Sequence, residues 1–554
     1  MESSLRIAGE AGQGVLTTGN MLVGAFAEMG LHVLAAQSYM SRIRGGLNWF
    51  DVRIADEELF CPREKPELLV ALTDVALETL RGEVADGGLI LYDGQSADGA
   101  IAIDLAKAAK EAGAPRIMAN AVAAGAVFAL LGYDCRRLCA YLKKQFGRKG
   151  EEVVQANVNC AGRGAELASR YAGRLKAPAP GKAAAAVYSG AEAIGLGAAT
   201  AGVKLVTSYP MTPSTATFTY LAGAADKYGI VVEQAEDEIA AVNMICGAAY
   251  AGVPAMATTS GGGFALMVEG LSLAGMMELP IFILIAQRPG PATGLPTRTA
   301  QQDLNFALHA GHGEFARAIF APGTHQQCHE LTRRALEAAH KFQTPAILLT
   351  DQFLQDLQKN VPPLDDSLRP IDRHILQAAG SDYARYEVTE SGVSPRAIPG
   401  GEALVICDSD EHLDDGHITE DLDARMAQQD KRMRKLAGLA AEALAPQWYG
   451  PEDAETVLIA WGSTYGPARE AVDALNADEP AVAMLHFAQV WPINVAAARQ
   501  ALARAKRPIC VEGNCTGQFA SLLRGAEVLD RCERLLRYDG LPLTAEYIVE
   551  RVRQ

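Results

Sequence analysis

Residues 231–252 read VVEQAEDEIAAVNMICGAAYAG, and three patterns follow one another in this stretch. A short apolar start leads into EQAEDE, where four of six residues are acidic. IAAVNMICGAAYAG then carries no charge and consists mostly of small and apolar residues. The order predicts a strand, an acidic turn and a buried helix, which is the unit from which α/β domains are built. The helix dipole stabilises an acid in the first turn by roughly 0.3–1 kcal/mol, which explains part of this charge without any function.

Short apolar runs alternate with helical patterns through most of the 554 residues. The alternation predicts the α/β fold class, with three doubly wound domains. We place these domains at residues 1–178, 179–360 and 451–554, with an irregular connecting segment at residues 361–450. In the first domain, LHVLAAQS, NWFDVRIA, PELLVAL and GGLILYDG are expected to be strands of a buried parallel sheet. RLKAPAPGKAAAA (174–186) predicts a linker, and DKRMRKLAGLAAEAL (430–444) predicts a helix.

The composition argues against several classes of function. A formal net charge of −16 makes a nucleic-acid partner unexpected. The N-terminus lacks a basic segment followed by an apolar one, and the most apolar window, residues 271–286, is interrupted by Glu278 and Pro280. We therefore expect neither a signal peptide nor a membrane span, and a cytoplasmic location is the default. The ten cysteines show no CxxC spacing, so we predict no metal ligand or iron–sulfur site in this chain alone.

Two motifs in the first domain are suited to binding an anion. AGEAGQGV (8–15) places glycines between a predicted strand and a predicted helix, where backbone amides and the helix N-terminus favour a phosphate. Its G-x-x-G-x-G spacing differs from the dinucleotide fingerprint, so a tight turn that needs positive φ explains it at least as well. SRIRGGLNWFDVR (41–53) places Arg42 and Arg44 before a Gly-Gly turn, either as an anion clamp or as solvated arginines. Spacing alone leaves both alternatives open.

Three further turns follow predicted strands in the second domain, at the strand ends where open α/β sheets bind ligands. They are SYPMTPST (208–215), TTSGGGF (258–264) and QRPGPATGLPTRT (287–299). In the first, Pro213 is expected in the first helical turn, and the hydroxyl residues are expected as caps or anion ligands. In the second, three glycines allow a close approach of the backbone, and in the third Arg288 is placed to clamp a carboxylate. A plain cap, a plain turn and a surface loop are the alternatives.

HAGHGEF (309–315), WGSTYGPAREAV (461–472) and VEGNCTGQFA (511–520) complete an ordered set of motifs. In this order the set resembles the 2-oxoacid:ferredoxin (2-oxoacid:acceptor) oxidoreductases, and more narrowly the α subunit of the two-subunit type with the γ domain fused at its N-terminus. The three domains would then be a γ domain, a thiamine-pyrimidine-binding domain and a transketolase-C-terminal-like domain. Each motif is weak alone, but the ordered set is specific and covers nearly the whole chain.

The resemblance implies a role for one acid of EQAEDE. In thiamine diphosphate enzymes, a Glu at a helix start with Gly nine residues later hydrogen-bonds the aminopyrimidine ring of the coenzyme. Glu238 and Gly247 have this spacing, so Glu238 is the implied catalytic residue. The implied coenzyme-binding residues are Tyr209, Pro210, Thr212, Glu238, Ser260 and Gly261. The implied substrate-binding residues are Thr212, Arg288 and Thr297, and Arg42 and Arg44 are candidates for binding CoA or another anion.

The resemblance also implies a reaction and a partner. The family decarboxylates a 2-oxoacid on thiamine diphosphate, passes the electrons through a [4Fe-4S] cluster to ferredoxin and transfers the acyl group to CoA. Thiamine enzymes hold Mg²⁺ and the diphosphate with a GDG motif, and this chain contains no GDG. A β subunit would therefore supply the diphosphate half of the site, Mg²⁺ and the cluster, in an αβ or (αβ)₂ assembly typical of anaerobic metabolism.

The identity of the 2-oxoacid stays open at this point. The first expectation is 2-oxoglutarate, converted to succinyl-CoA, with pyruvate and branched-chain 2-oxoacids as alternatives. TSGGGF stands where the family often has TSGPGF, and Ala292 and Ala300 stand where Ser and Glu are frequent, which affects acyl-chain specificity. A thiamine enzyme component that does not use ferredoxin and a non-catalytic nucleotide- or CoA-binding protein are the rival hypotheses. The γ-like N-terminal domain argues against the first, and the intact Glu238 and Arg288 argue against the second.

Overall fold

The computed structural model describes residues 1–40, 45–184, 186–477 and 481–554. Contacts between residues divide the chain into two compact units. Unit 1 comprises Met1–Ser189, Leu357–Pro363 and Thr544–Tyr547, and unit 2 comprises Gly190–Asp356, Leu364–Leu543 and Ile548–Gln554. The predicted domain boundaries at residues 178, 360 and 450 stay predictions.

The described elements up to residue 189 alternate only in part, since three strands and four helices follow one another directly. The strands are β1 (Glu2–Ala11), β2 (His32–Ser38), β3 (Gly45–Ala55), β4 (Leu68–Ala71), β5 (Leu89–Asp93), β6 (Ile101–Ile103) and β7 (Val187–Ser189). The helices are α1 (Val15–Glu28), α2 (Asp74–Leu80), α3 (Leu105–Glu111), α4 (Ala119–Leu130), α5 (Cys135–Phe146) and α6 (Glu151–Ala168).

The elements beyond residue 189 continue this alternation. The strands are β8 (Leu205–Ser208), β9 (Val231–Gln234), β10 (Ala255–Thr259), β11 (Phe282–Gln287), β12 (Ala318–Phe320), β13 (Ala346–Asp351), β14 (Gln358–Asn360), β15 (Gln447–Tyr449), β16 (Thr456–Trp461), β17 (Val482–Phe487), β18 (Gln489–Trp491), β19 (Arg507–Glu512) and β20 (Glu533–Leu536). The helices are α7 (Gly190–Thr200), α8 (Thr215–Tyr228), α9 (Glu238–Tyr250), α10 (Gly261–Met276), α11 (Leu304–His309), α12 (His325–Phe342), α13 (Gln352–Asp356), α14 (Leu422–Ala441), α15 (Tyr465–Leu475), α16 (Val495–Leu502), α17 (Gln518–Gly525) and α18 (Ala545–Arg553).

Sheet 1 lies in unit 1 and has the strand order β6-β5-β4-β1-β3-β2-β14-β7. Strands β1, β4, β5 and β6 are parallel, but β3 runs antiparallel to both of its neighbours, β1 and β2. The prediction of a parallel sheet is therefore wrong for half of this domain. The physical reason is the short connection between β2, which ends at Ser38, and β3, which begins at Gly45. A parallel pair needs a crossover of a dozen or more residues.

Sheet 2 lies in unit 2 and has the order β18-β12-β13-β11-β10-β8-β9. Strands β8 to β13 are parallel, as the sequence predicts, and β18 joins antiparallel at one edge. Five strands were expected here from the sequence, at KLVTSYP, GIVVEQA, PAMATTS, PIFILIAQ and PAILLTD, and they are confirmed as β8, β9, β10, β11 and β13. The sequence reading missed β12 and β18, which are three residues each and too short to carry a pattern.

Sheet 3 lies in the same unit and has the order β15-β17-β16-β19-β20. Gln301, in the long connection that follows β11, joins this sheet to sheet 2. Its backbone N–H donates to the carbonyl of Gly513 at 2.7 Å, and its side chain donates to the carbonyl of Trp461 at 2.9 Å. The Gln301 side chain also accepts the Gly513 N–H at 2.9 Å. The ends of β16 and β19 are thereby fixed to the loop that carries Arg288.

Helices and connections largely follow the predictions, with one correction. The predicted helix at 430–444 is α14, which begins earlier because Asp421 caps it by accepting the Ala424 N–H at 2.7 Å. The predicted linker forms no helix or strand over residues 174–184, and Ala185 lies outside the described residues.

Among the described helices, none is by itself long and apolar enough to cross a membrane. One pair bent by 112°, Leu105–Glu111 with Arg116–Leu130, meets the requirement by length and composition only.

A buried ion cluster holds α14 against the end of α10. Glu278 is 1 % exposed, and its carboxylate pairs with Lys431 Nζ at 2.8 Å and with Lys435. Burial alone would raise the pKa of Glu278, but Lys435, Lys431 and Arg385 lower it to about 2. Lys431 also donates to the Tyr386 carbonyl at 3.0 Å and to Ser394 Oγ at 2.9 Å. The irregular segment before α14 is thus anchored by charge as well as by packing.

Replacing Glu278 with Gln is expected to cost roughly 3–5 kcal/mol of the free energy of unfolding of unit 2, because two buried ammonium groups lose their counter-charge. Urea denaturation followed by tryptophan fluorescence measures this, since Trp448, Trp461 and Trp491 all lie in unit 2. Glu269→Gln, on the exposed side of α10, is the matched control and should stay within about 0.5 kcal/mol of the parent. Equal stability of the two variants would contradict the role of the cluster.

Candidate functional site

Four loops meet at the carboxyl edge of sheet 2. Strands β9, β8, β10 and β11 are parallel neighbours, so the loops that follow them lie side by side, where open α/β sheets bind ligands. Hydroxyl groups cross-link two of the strand ends. Ser208 Oγ donates to the Thr258 carbonyl at 2.8 Å, and Thr258 Oγ1 donates to Ser208 Oγ at 2.9 Å. The loops thus start from fixed points.

The acidic turn EQAEDE places its four carboxylates in three different environments. Glu233 and Glu236 are exposed, and Asp237 caps α9 by accepting the Ala240 N–H at 2.7 Å. Glu238 is the first residue of α9 and is only 2 % exposed. Its Oε1 is buried and has no hydrogen-bond partner within the described residues, and burial raises its pKa. Glu238 is therefore buried without a partner among the described residues. The positions of the other three acids are explained by helix capping and by contact with solvent.

The three glycines after β10 form the first turn of α10, whereas the sequence reading placed them in a loop. A Cβ on Gly263 would overlap Glu238 Oε1 and Thr259 Oγ1, and a Cβ on Gly261 would overlap the Asp303 carboxylate. The glycines thus allow the backbone to approach closely, as expected, and the groups that it approaches are two carboxylates of this chain. Ser260 Oγ, directly before them, is buried and lacks a hydrogen-bond partner in the described part of the chain.

The structure brings two of the predicted substrate residues together. Arg288 Nη1 donates to the backbone carbonyl of Thr212 at 2.7 Å. Burial lowers the pKa of Arg288, and Asp303 partly offsets this shift. Tyr209, directly after Ser208, is 43 % exposed, and Pro210 is also exposed.

Two expectations for the loop after β8 are wrong. Helix α8 begins at Thr215, so Pro213 precedes the first helical turn. Ser214 occupies the cap position, but its Oγ donates to the Met211 carbonyl at 2.8 Å and accepts no helix N–H. The hydroxyl of Ser214 is therefore used in a hydrogen bond within the loop and does not cap α8.

Asp303 was not among the site residues predicted from the sequence. This residue lies between Arg288 and the first turn of α10: its N–H donates to Gln287 Oε1 at 2.9 Å, and its carboxylate faces Gly261. Burial raises the pKa of Asp303 to about 6, although the charge of Arg288 opposes the shift. Its Oδ2 is buried without a hydrogen-bond partner among the described residues. The signal available in the sequence was the polar run QQD directly after the Arg288 loop.

Thr297 and Arg298 lie further along the same loop. Thr297 is buried at 7 % exposure, and burial lowers the pKa of Arg298. The next residue, Thr299, donates its N–H to the Gly540 carbonyl at 3.2 Å, and Arg298 packs beside Gly540. This part of the loop is therefore held by the segment that follows β20.

A cavity of about 970 Å³ opens at the glycine turn of unit 1. Its lining includes residues 10–17, Asn48, Arg116 and Asn120. Gly12 and Gly14 have φ of 88° and 84°, so the turn does require glycine for its backbone conformation. Anion binding there stays a prediction. Arg42 and Arg44 lie outside the described residues.

Within the described ranges, no group of three or more His, Cys, Asp or Glu side chains is placed to hold a metal ion. The buried polar atoms without partners do fit part of a coenzyme. Glu238 Oε1 and Ser260 Oγ are two such atoms, in the connections that follow β9 and β10 on either side of β8. A heteroaromatic ring with ring nitrogens and an amino group supplies the matching donors and acceptors. The aminopyrimidine of thiamine diphosphate is a ring of this kind.

Comparison with protein families gives two matches. Residues 196–431 match the family described as pyruvate flavodoxin/ferredoxin oxidoreductase, thiamine diphosphate-binding. Residues 4–167 match the family described as pyruvate ferredoxin/flavodoxin oxidoreductase. The first match contains the carboxyl edge of sheet 2, and the second contains the glycine turn of unit 1.

Three relatives align over almost their whole length. A 2-oxoacid:ferredoxin oxidoreductase subunit alpha from Sulfolobus sp is 30 % identical, covering 99 % of this chain and 96 % of the relative. The 2-oxoglutarate oxidoreductase subunit KorA of Mycobacterium tuberculosis is 28 % identical, covering 99 % and 91 %. The solved structure of 2-oxoglutarate:ferredoxin oxidoreductase from Magnetococcus marinus, with 2-oxoglutarate, coenzyme A and succinyl-CoA bound, is 33 % identical with a TM-score of 0.93, covering 100 % and 99 %.

The doubly wound sheets and the matched coenzyme domain define a thiamine diphosphate-binding subunit of an oxidoreductase. Within that class, the chain belongs to the family of 2-oxoacid:ferredoxin oxidoreductase α subunits. The fold class and the family predicted from the ordered motifs are confirmed. The roles of the individual site residues stay predictions.

Gly263→Ala is expected to destabilise unit 2, because the added Cβ would overlap the Glu238 carboxylate and Thr259 Oγ1. Gly262→Ala is the matched control: its Cβ would meet only the Ala292 carbonyl, at 3.9 Å, and Ala favours a helix over Gly by roughly 1 kcal/mol. The thermal midpoint of the isolated chain should fall for Gly263→Ala and stay or rise for Gly262→Ala. A fall of the same size in both variants would refute the close approach of Glu238.

Proposed function

We propose that this chain acts with a β-type subunit to decarboxylate a 2-oxoacid oxidatively, with CoA as acyl acceptor and ferredoxin as electron acceptor. The first proposed substrate is 2-oxoglutarate, and the product is succinyl-CoA. The observation that supports this proposal most directly is the buried carboxylate of Glu238, which has a raised pKa and an oxygen without a hydrogen-bond partner among the described residues. Perturbed buried carboxyls of this kind concentrate at catalytic sites.

Thiamine diphosphate, when bound, supplies a carbon nucleophile and an electron sink for the decarboxylation of a 2-oxoacid. We assign to Glu238 the hydrogen bond from Oε1 to the aminopyrimidine ring. Burial favours the protonated carboxyl, so Glu238 is suited to holding and returning a proton at Oε1. Ser260, Gly261 and the loop of Tyr209, Pro210 and Thr212 would line the rest of the ring.

Arg288 is the proposed ligand of the substrate carboxylate. Its guanidinium is half-buried and has one nitrogen already fixed by the Thr212 carbonyl, which orients the remaining N–H groups. A planar guanidinium that is held in place binds a carboxylate with two parallel hydrogen bonds. Thr212 and Thr297 would complete the substrate site, and Arg298 is a candidate for the second carboxylate of 2-oxoglutarate.

A partner subunit must complete the site under this proposal. The sequence lacks GDG, and the described residues contain no cluster of metal ligands. The diphosphate half, Mg²⁺ and the [4Fe-4S] cluster are therefore assigned to the β subunit, in an αβ or (αβ)₂ assembly. The cavity at the glycine turn of unit 1, with Arg116 in its lining, is proposed to take the phosphates of CoA. A cytoplasmic location also stays a prediction.

The deciding experiment is anaerobic co-expression of the chain with its β-type partner. Viologen reduction is measured with 2-oxoglutarate, CoA and thiamine diphosphate, omitting each in turn, and then with pyruvate and 2-oxoisovalerate. Turnover that needs the partner, CoA and the coenzyme is expected, with the highest kcat/KM for 2-oxoglutarate. A complex that binds the coenzyme and carries its cluster but reduces no viologen would overturn the reaction. NAD-linked turnover would favour the rival class of thiamine enzyme.

Glu238→Gln is expected to lower kcat in that complex by about 10²–10⁴-fold, because the amide keeps the shape of the side chain but cannot hold the proton. The same assay, supported by a titration of thiamine diphosphate binding, measures the effect. Glu236→Gln, two residues earlier and exposed, is the control and should retain full activity. Full activity of Glu238→Gln would remove the catalytic assignment.

A further inference from the structure

A pair of cysteines at the start of α5 takes no part in the proposed chemistry. Cys135 is the first residue of α5, and Cys139 follows four residues later on the same face of the helix. Their Sγ atoms are 4.0 Å apart, and both side chains are half-buried. The two thiols are thus already in contact and within reach of small solutes.

The two sulfur atoms differ in chemical character. Either sulfur can donate in the contact between the two thiols. With Cys135 as the donor, this hydrogen bond is the main cause that lowers the pKa of Cys139, and Lys143, one turn further on, acts in the same direction. Burial and Asp134 oppose the shift. The pKa of Cys135 is raised by the same hydrogen bond and by burial. The positive charge of Lys143 favours a thiolate at Cys139, and the negative charge of Asp134 disfavours one at Cys135, so we take Cys139 as the nucleophilic sulfur.

The position at a helix start makes closure of the pair feasible. Residues i and i+4 of a helix have Cβ atoms about 5–6 Å apart, whereas a disulfide needs about 3.8 Å. Leu138 and Leu142 are buried and fix the body of α5. Cys135 stands at the very start of the helix, directly after the capping residue Asp134, and the next side chain, Arg136, is 91 % exposed. Cys135 and Cys139 pack against the edge of the hydrophobic core, but Arg136 and Arg137 between them are exposed, so closure of the pair requires an adjustment of this first turn.

We propose that Cys135 and Cys139 form a redox-active dithiol that reacts with a peroxide and closes to an intrahelical disulfide. The Cys139 thiolate attacks one peroxide oxygen, which gives a sulfenic acid on Cys139 and releases the other oxygen as hydroxide (from H₂O₂) or alkoxide. The Cys135 sulfur then displaces the sulfenic oxygen, which leaves as water, and the S–S bond forms. The two thiols lose two electrons in total and the peroxide is reduced. Because the helical spacing strains the product, the disulfide is expected to be easily reduced by an added thiol.

Peptide mapping tests the proposal directly, and it does not depend on the proposed function. The reduced full-length chain is treated with hydrogen peroxide, free thiols are alkylated under denaturing conditions, and the chain is digested with trypsin. Cleavage after Arg136 and Arg137 separates the two cysteines, so the disulfide joins peptide 117–136 to peptide 138–143. This joined peptide is expected to become the main form of both cysteines and to disappear after dithiothreitol treatment.

Two variants distinguish the roles of the sulfur atoms. Cys135→Ser should accumulate a dimedone-reactive sulfenic acid on Cys139, whereas Cys139→Ser should leave Cys135 unmodified at the same peroxide dose. Cys515, which is exposed, reports in every sample that peroxide reached the chain. Oxidation of Cys515 without any joined peptide would overturn the proposal, as would sulfenic acid on Cys135 in preference to Cys139.

Discussion

The contact between the Glu238 carboxylate and the α-carbon of Gly263 is the constraint on which the site depends. The start of α9 can approach the start of α10 this closely only because residue 263 has no side chain. The approach excludes water from Glu238 and leaves Oε1 without a partner in the described chain. A buried polar group without a hydrogen bond costs roughly 1–3 kcal/mol, and more when it is charged. The fold tolerates this cost at the edge of sheet 2 where a ligand can supply the missing bond.

The position of Arg288 depends on one other predicted substrate residue, Thr212, and on residues outside the substrate motifs. Its side chain is fixed by the Thr212 carbonyl, and its own carbonyl accepts Gln302 Nε2 at 3.1 Å. The neighbouring Gln301 is bonded to Gly513 and Trp461 at the ends of two strands of sheet 3. Sheet 3 contributes no predicted site residue, yet it holds the end of the loop that presents the arginine. Its contribution to the site is rigidity, which is what a preoriented carboxylate ligand requires.

The sequence predicted those parts of the molecule whose signal is local. Strands β8 to β11 and β13 are runs of four to six residues that begin with apolar residues and have clear boundaries, and Glu238 has the right neighbours along the chain. The antiparallel pairing of β3 with β1 and β2 depends on connection length and on partners distant in sequence. The apolar pattern of β3 alone therefore did not show in which direction the strand runs. Asp303 escaped for a similar reason. Its carboxylate comes close to Gly261, and its pKa is affected by the charge of Arg288, only once the loop is folded against α10.

The glycine run of α10 shows why one departure from the family pattern is tolerated. The family often has proline at the position of Gly262, and this is the residue of the three whose Cβ would have space. Position 262 lies in the first helical turn, where the backbone N–H has no partner within the helix and proline is accepted. Gly261 and Gly263 face the carboxylates of Asp303 and Glu238, so a side chain at either position would displace a charged group. The close approach to the two acids therefore constrains two glycines and leaves the middle position free to vary.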